Sequence, residues 1–162
     1  MASPTWMTRA AADMMQETCI KIQSLERIVW RYWAMIVDEV VDEIGNIRGI
    51  TRLDEEIFDD PPRHSLEQKA KEFERWSSAT GLSKVDLVNE IAKVVAVEFD
   101  AGRITFAFGD AIMNYLLSVI NEALMGDDSL PWNVYLAFDL GEYTPYETST
   151  VPMIAKIVQN LR

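Results

Sequence analysis

Between Leu25 and Ile44 the apolar side chains fall at Leu25, Ile28, Val29, Tyr32, Trp33, Ile36, Val37, Val40, Val41 and Ile44. That spacing, i, i+3, i+4, i+7, is one face of an α-helix held for roughly five turns. Gly45 or Gly49 can end it in the left-handed conformation. An earlier helix, rich in Met and Ala, is expected over Thr5–Ile22 and can run on into the second.

The same period continues down the chain. Ser65-Leu66-Glu67-Gln68 reads as a capping box that opens a helix to about Ser78, presenting Leu66, Phe73 and Trp76, with Gly81 as its break. Ser83-Lys84-Val85-Asp86 starts the next, with Val85, Val88, Ala92, Val95 and Phe99 on one face, Leu87, Ile91 and Val94 widening it, and Gly102 ending it. A further helix is predicted over Phe106–Leu124. Gly126-Asp127-Asp128 reads as a turn; Ser129 and Pro131 open another helix, which Gly141 closes. Thr150 and Pro152 open the last, to Leu161. Val94 to Val97 is β-branched but does not alternate, so it belongs to its helix. The pattern predicts an all-α, single-domain bundle of about six or seven helices over residues 1–162. One echo accompanies it: Val95, Phe99-Asp100, Gly102 and Thr105 recur as Val134, Phe138-Asp139, Gly141 and Thr144. In both copies the aromatic is expected to anchor a last turn, the glycine to turn left-handed and the threonine to cap the next helix.

A chain of 162 residues with 49% hydrophobic side chains can bury a core of its own. Its one cysteine, Cys19, cannot close an internal disulfide, which fits a reducing cytosol. No apolar run reaches membrane-spanning length and no signal-peptide pattern opens the chain, so a cytoplasmic protein is expected. The net charge of −11 disfavours phosphate backbones and anionic membranes and favours a basic partner. That charge is concentrated. Residues 34–60 carry nine acids against Arg48 and Arg52, and residues 100–147 carry eight against Arg103.

Four acids, Asp38, Glu39, Asp42 and Glu43, are the sharpest candidates for chemistry. On a helix Asp38 and Asp42 lie about 40° apart, as do Glu39 and Glu43, a spacing that can hold Mg²⁺ through carboxylate oxygens. The patch resembles the paired-acid helix of all-α nucleotide pyrophosphatases, which implies a Mg²⁺-dependent hydrolase. Those enzymes place a second acidic helix soon after; here Asp86 and Glu90 come more than forty residues later. Asp38 and Asp42 also lie away from the apolar face, where acids form a solvated surface. Neither a zinc ligand set nor a phosphate-binding glycine loop nor a serine-hydrolase elbow is present in the sequence, and the lone His64 reads as an exposed loop residue. Of the five tryptophans, Trp6, Trp30, Trp33, Trp76 and Trp132, Trp33 faces the core and Trp30 lies off the centre of that face, as a contact or dimer residue would.

The stretch Pro131-Trp132-Asn133-Val134-Tyr135-Leu136-Ala137-Phe138-Asp139-Leu140-Gly141-Glu142-Tyr143, followed by Thr150-x-Pro152-x-Ile154, is similar to one in small bacterial immunity-type proteins encoded beside polymorphic toxins. The resemblance covers Pro131 to Ile154, carries no catalytic residues, and implies a toxin domain as partner. With the charge map, it leads to a non-enzymatic module without cofactor, monomeric or homodimeric, that binds a basic protein domain. The expected contact residues are Asp54, Glu55, Glu56, Asp59 and Asp60, then Asp127, Asp128, Asp139 and Glu142. A structural homodimer is the remaining alternative.

Overall fold

Six α-helices and their connecting turns make up nearly all of the described chain, as the apolar periodicity requires. The computed structural model describes residues 35–55, 64–123 and 129–161, the side chains of 118–123 excepted. The helix expected over Thr5–Ile22, the first part of the Leu25–Ile44 stripe, Cys19, Trp6, Trp30 and Trp33 lie outside these residues. Helix α1 covers residues 35–47, followed by α2 (Leu66–Thr80), α3 (Lys84–Asp100), α4 (Phe106–Ala123), α5 (Leu130–Tyr143) and α6 (Thr150–Asn160). Ile36–Arg162 forms a compact unit by itself.

Local chemistry sets the ends. The Ser65 hydroxyl accepts from the Gln68 amide at 3.2 Å while the Gln68 side chain accepts from Ser65 N at 2.8 Å, so the capping box satisfies two orphan donors at once. The Ser83 hydroxyl caps α3 by accepting from Asp86 N at 3.2 Å, and donates to the Asp86 carboxylate at 2.6 Å. Gly49, Gly81 and Gly102 take φ of +68°, a region that L side chains avoid, and each follows a helix.

Helix α3 is central because its apolar face is wide. Leu87, Val88, Ile91, Ala92, Val95 and Ala96 are all fully buried, and the helix touches α2, α4, α5 and α6. Each large side chain buried there contributes about 1.5–3 kcal/mol. From α1, Val37, Val40, Val41 and Ile44 join the core, and from α2, Phe73 and Trp76. Leu66, expected on the inner face of α2, is exposed instead; it sits at the first helical position, ahead of the buried stripe.

The second copy of the echo departs from expectation. Phe99, Gly102 and Thr105 behave as read: Gly102 is left-handed, and the Thr105 hydroxyl accepts from Phe108 N to start α4. Gly141, however, lies inside α5, and Thr144 closes that helix rather than opening the next, its hydroxyl donating to Leu140 O. Gly141 is small for a tertiary reason. A Cβ there would overlap Thr150 Oγ1 and the Phe106 ring. Gly109 in α4 and Gly45 in α1 make similar notches, for the rings of Phe138 and Phe108. The echoed aromatics meet each other, Phe99 and Phe138 packing edge to face at 5.2 Å between ring centres.

The turn after α1 is fastened from three sides. Arg52 donates to Asp42 at 2.6 Å and Asp38 at 2.7 Å on α1, and reaches Glu98 on α3 at 3.7 Å. Thr105 at the head of α4 donates through its amide to Arg52 O and through its hydroxyl to Asp54 O. Arg52→Ala should therefore cost about 1–2 kcal/mol, since charge-assisted bonds are lost but the aspartates stay half in water. Urea denaturation measures this, and a midpoint equal to wild type would show the fastening to be idle.

Candidate protein-binding face and an interhelical acid pair

The two acidic segments differ in how their charge is met. On α1, Asp38 and Asp42 already share the Arg52 guanidinium; burial opposes its charge, but the bonds and charges of the two aspartates outweigh that and leave Arg52 held more firmly protonated than usual. Glu43 turns to α2, accepting from Arg75 and, at 2.9 Å, from Trp76 Nε1. Burial opposes its ionisation, but the bonds from Arg75 and Trp76 outweigh it and hold the carboxyl below the usual range. Glu39 alone of the four faces open solvent without a described partner. Three of the four acids are thus taken up by two arginines, and no group of three or more side chains that could hold a metal ion occurs among the described residues. In the following turn, Asp54 folds back to accept from Thr51 N at 2.6 Å, while Glu55 is exposed. Glu56, Asp59, Asp60, Asp127 and Asp128 lie outside the described residues.

The C-terminal segment has no such compensation. Between Arg103 and Lys156 the chain contains no lysine, arginine or histidine. Helix α5 carries Trp132, Tyr135, Asp139, Glu142 and Tyr143 at helical spacing on one side. Trp132 and Tyr135 are half-buried, their rings 5.4 Å apart, and the Tyr135 hydroxyl donates to Asp139 at 3.0 Å. Burial first, then this bond, pushes the Tyr135 hydroxyl up to about 12. Beyond lies an exposed run: Leu140, Glu142, Tyr143 at 77% exposure, Tyr146, Glu147, Val151 and Met153. Tyr146 stacks on Phe106, which anchors the turn into α6. Thr150 holds the other side, its buried hydroxyl donating to Ala137 O at 2.8 Å. Exposed aromatics and apolar side chains amid acids, on a well-anchored backbone, resemble the centre of a recognition surface more than a solvated rim.

One acid points inward. Asp110, on α4, is 6% exposed. Asn114 Nδ2 lies 3.0 Å from Asp110 Oδ1 and 3.2 Å from Glu142 Oε1, joining α4 to the last turn of α5. Burial, then the neighbouring charge of Glu142, pushes the Asp110 carboxyl up to about 7, against smaller opposing effects of Asn114 and Arg48. A single aspartate inside the apolar run Ala107-Phe108-Gly109-Asp110-Ala111-Ile112-Met113 was the available signal in the sequence.

His64, expected to be exposed, is partly buried: its Nδ1 is 3.1 Å from Glu72 Oε1, though poorly aligned for a hydrogen bond. The capping box that follows it sets α2 so that Glu72 also accepts from the Tyr115 hydroxyl. Among the described residues no helix is long and apolar enough to cross a membrane. Fold and surface together define a class, an acidic all-α helical bundle. Compared with family models, curated proteins and solved structures, the chain matches none.

Proposed function

We propose that this chain is a non-enzymatic protein-binding module, an immunity-type inhibitor that covers a basic toxin domain with the face running from Asp139 to Met153. The observation that carries the reading is the combination, along residues 139–153, of exposed Tyr143, Tyr146, Leu140, Val151 and Met153 with Asp139, Glu142 and Glu147, in a stretch without a positive side chain. A partner that presents lysine and arginine around an apolar centre complements it in both charge and chemistry. The acids steer the encounter and the aromatic side chains hold the complex. The first acidic group, Asp54, Glu55, Glu56, Asp59 and Asp60, ranks behind this face, because Asp54 is engaged with its own turn.

The probe is the product of the adjacent gene, which on this reading carries a basic toxin domain. Binding kinetics at low and moderate salt, with the natural chain and two variants, test the reading. Asp139→Asn with Glu147→Gln should slow association several-fold at low salt and flatten its salt dependence. Tyr143→Ala should leave association nearly unchanged and weaken binding by about 2 kcal/mol through faster dissociation. Absence of binding, or rates indifferent to salt and to all three substitutions, would remove this face from consideration.

A further inference from the structure

We propose that a proton held on Asp110 and donated to Glu142 latches the last turn of α5 to α4, and that its loss above neutrality loosens that turn. Asp110 is buried, and its carboxyl is set beside that of Glu142 by Asn114, whose Nδ2 lies 3.0 Å from Asp110 Oδ1 and 3.2 Å from Glu142 Oε1. Asn114 spans the two acids with one amide nitrogen, offering one N–H to each. Those bonds satisfy one lone pair per carboxylate and leave the repulsion between the buried Asp110 carboxylate and the exposed Glu142 to be relieved by a proton.

The groups around the pair set the direction. From α4 comes the neutral Asn114, and from α5 come Glu142 and the Tyr135 hydroxyl, itself bonded to Asp139. The turn after α1 contributes Arg48, whose charge favours the ionised form of Asp110 but is outweighed by burial and Glu142. Glu142 is followed directly by Tyr143 and by Thr144 in extended conformation, so the latch acts on the final turn before the helix stops. The folded chain binds this proton more tightly than the unfolded chain does. Its stabilising contribution is therefore complete below the ordinary carboxyl range and is lost as pH rises through about 7. Glu43 and Glu98 have the opposite sign, each held low by arginine bonds, so their contributions fade only in acid.

Carbon-detected NMR of the whole chain reads the Asp110 carboxyl directly, and amide exchange reads residues 140–144. The expected result is an Asp110 titration near neutrality, with exchange protection of those amides falling at least fivefold between pH 6 and 8 after correction for the intrinsic rate, roughly a 1 kcal/mol change. Asp110→Asn supplies a permanent N–H donor and should abolish that pH dependence. Glu142→Gln, which serves if the first variant folds poorly, should lower the Asp110 midpoint by about a pH unit. An Asp110 carboxyl that titrates with ordinary carboxylates below pH 5 would overturn the latch, as would protection unchanged between pH 6 and 8. No partner enters these measurements, so their outcome is separable from that of the binding experiment.

Discussion

Phe138→Ala is expected to lower the unfolding free energy by about 4 kcal/mol, within the range for emptying a fully buried aromatic site. The ring packs against Phe99 at 5.2 Å and Phe106 at 5.7 Å, and fills the notch left by Gly109. A loss of that size is a large share of the stability of a domain this long. The notch supplies an internal control. Gly109→Ala in the natural chain forces its new methyl into the Phe138 ring and should cost about 2 kcal/mol from overpacking. In the Phe138→Ala background the methyl enters vacated space, and the same change should be neutral or stabilising, since alanine also favours the helix. Denaturant melts of the four proteins in this cycle check both numbers, and additive losses would mean that ring and glycine are not in contact.

Trp76→Ala should cost about 4 kcal/mol as well, but for two reasons that can be separated. The indole is 1% exposed, packs edge to face on Phe73 and tilts against Tyr115. Its Nε1 also donates to Glu43, linking α2 to α1. Trp76→Phe retains much of the packing and removes only the donor, so it should cost about 1–2 kcal/mol. Because Glu43 is held low partly by this bond, the Phe variant should lose less stability than wild type on acidification below the ordinary carboxyl range. Equal acid sensitivity in the two proteins would argue that Arg75 alone holds the carboxylate.

What could be read in advance was local. The Ser65–Gln68 box, the Ser83 cap and the left-handed glycines at 49, 81 and 102 depend on groups within a few residues of one another, and each lies where the pattern placed it. Gly141 misled because a glycine that ends a helix and a glycine that admits a neighbour look alike in one dimension. Only the arrival of Thr150 and Phe106 distinguishes them. The acids of α1 were legible as a group, but not that Arg52, ten residues after Asp42, would return to serve two of them. Asp110 gives no cluster signal, being one acid in an apolar run; its companion Glu142 comes from another helix. The charge map marked Asp139 and Glu142, yet the exposed tyrosines that give that face its character followed from no periodicity.

The seated rings also bear on how the bundle responds to force. With Phe138 sunk into the space beside Gly109, and Phe106 and Thr150 against Gly141, no one of α4, α5 and α6 can slide along its neighbour without lifting a side chain out of its socket.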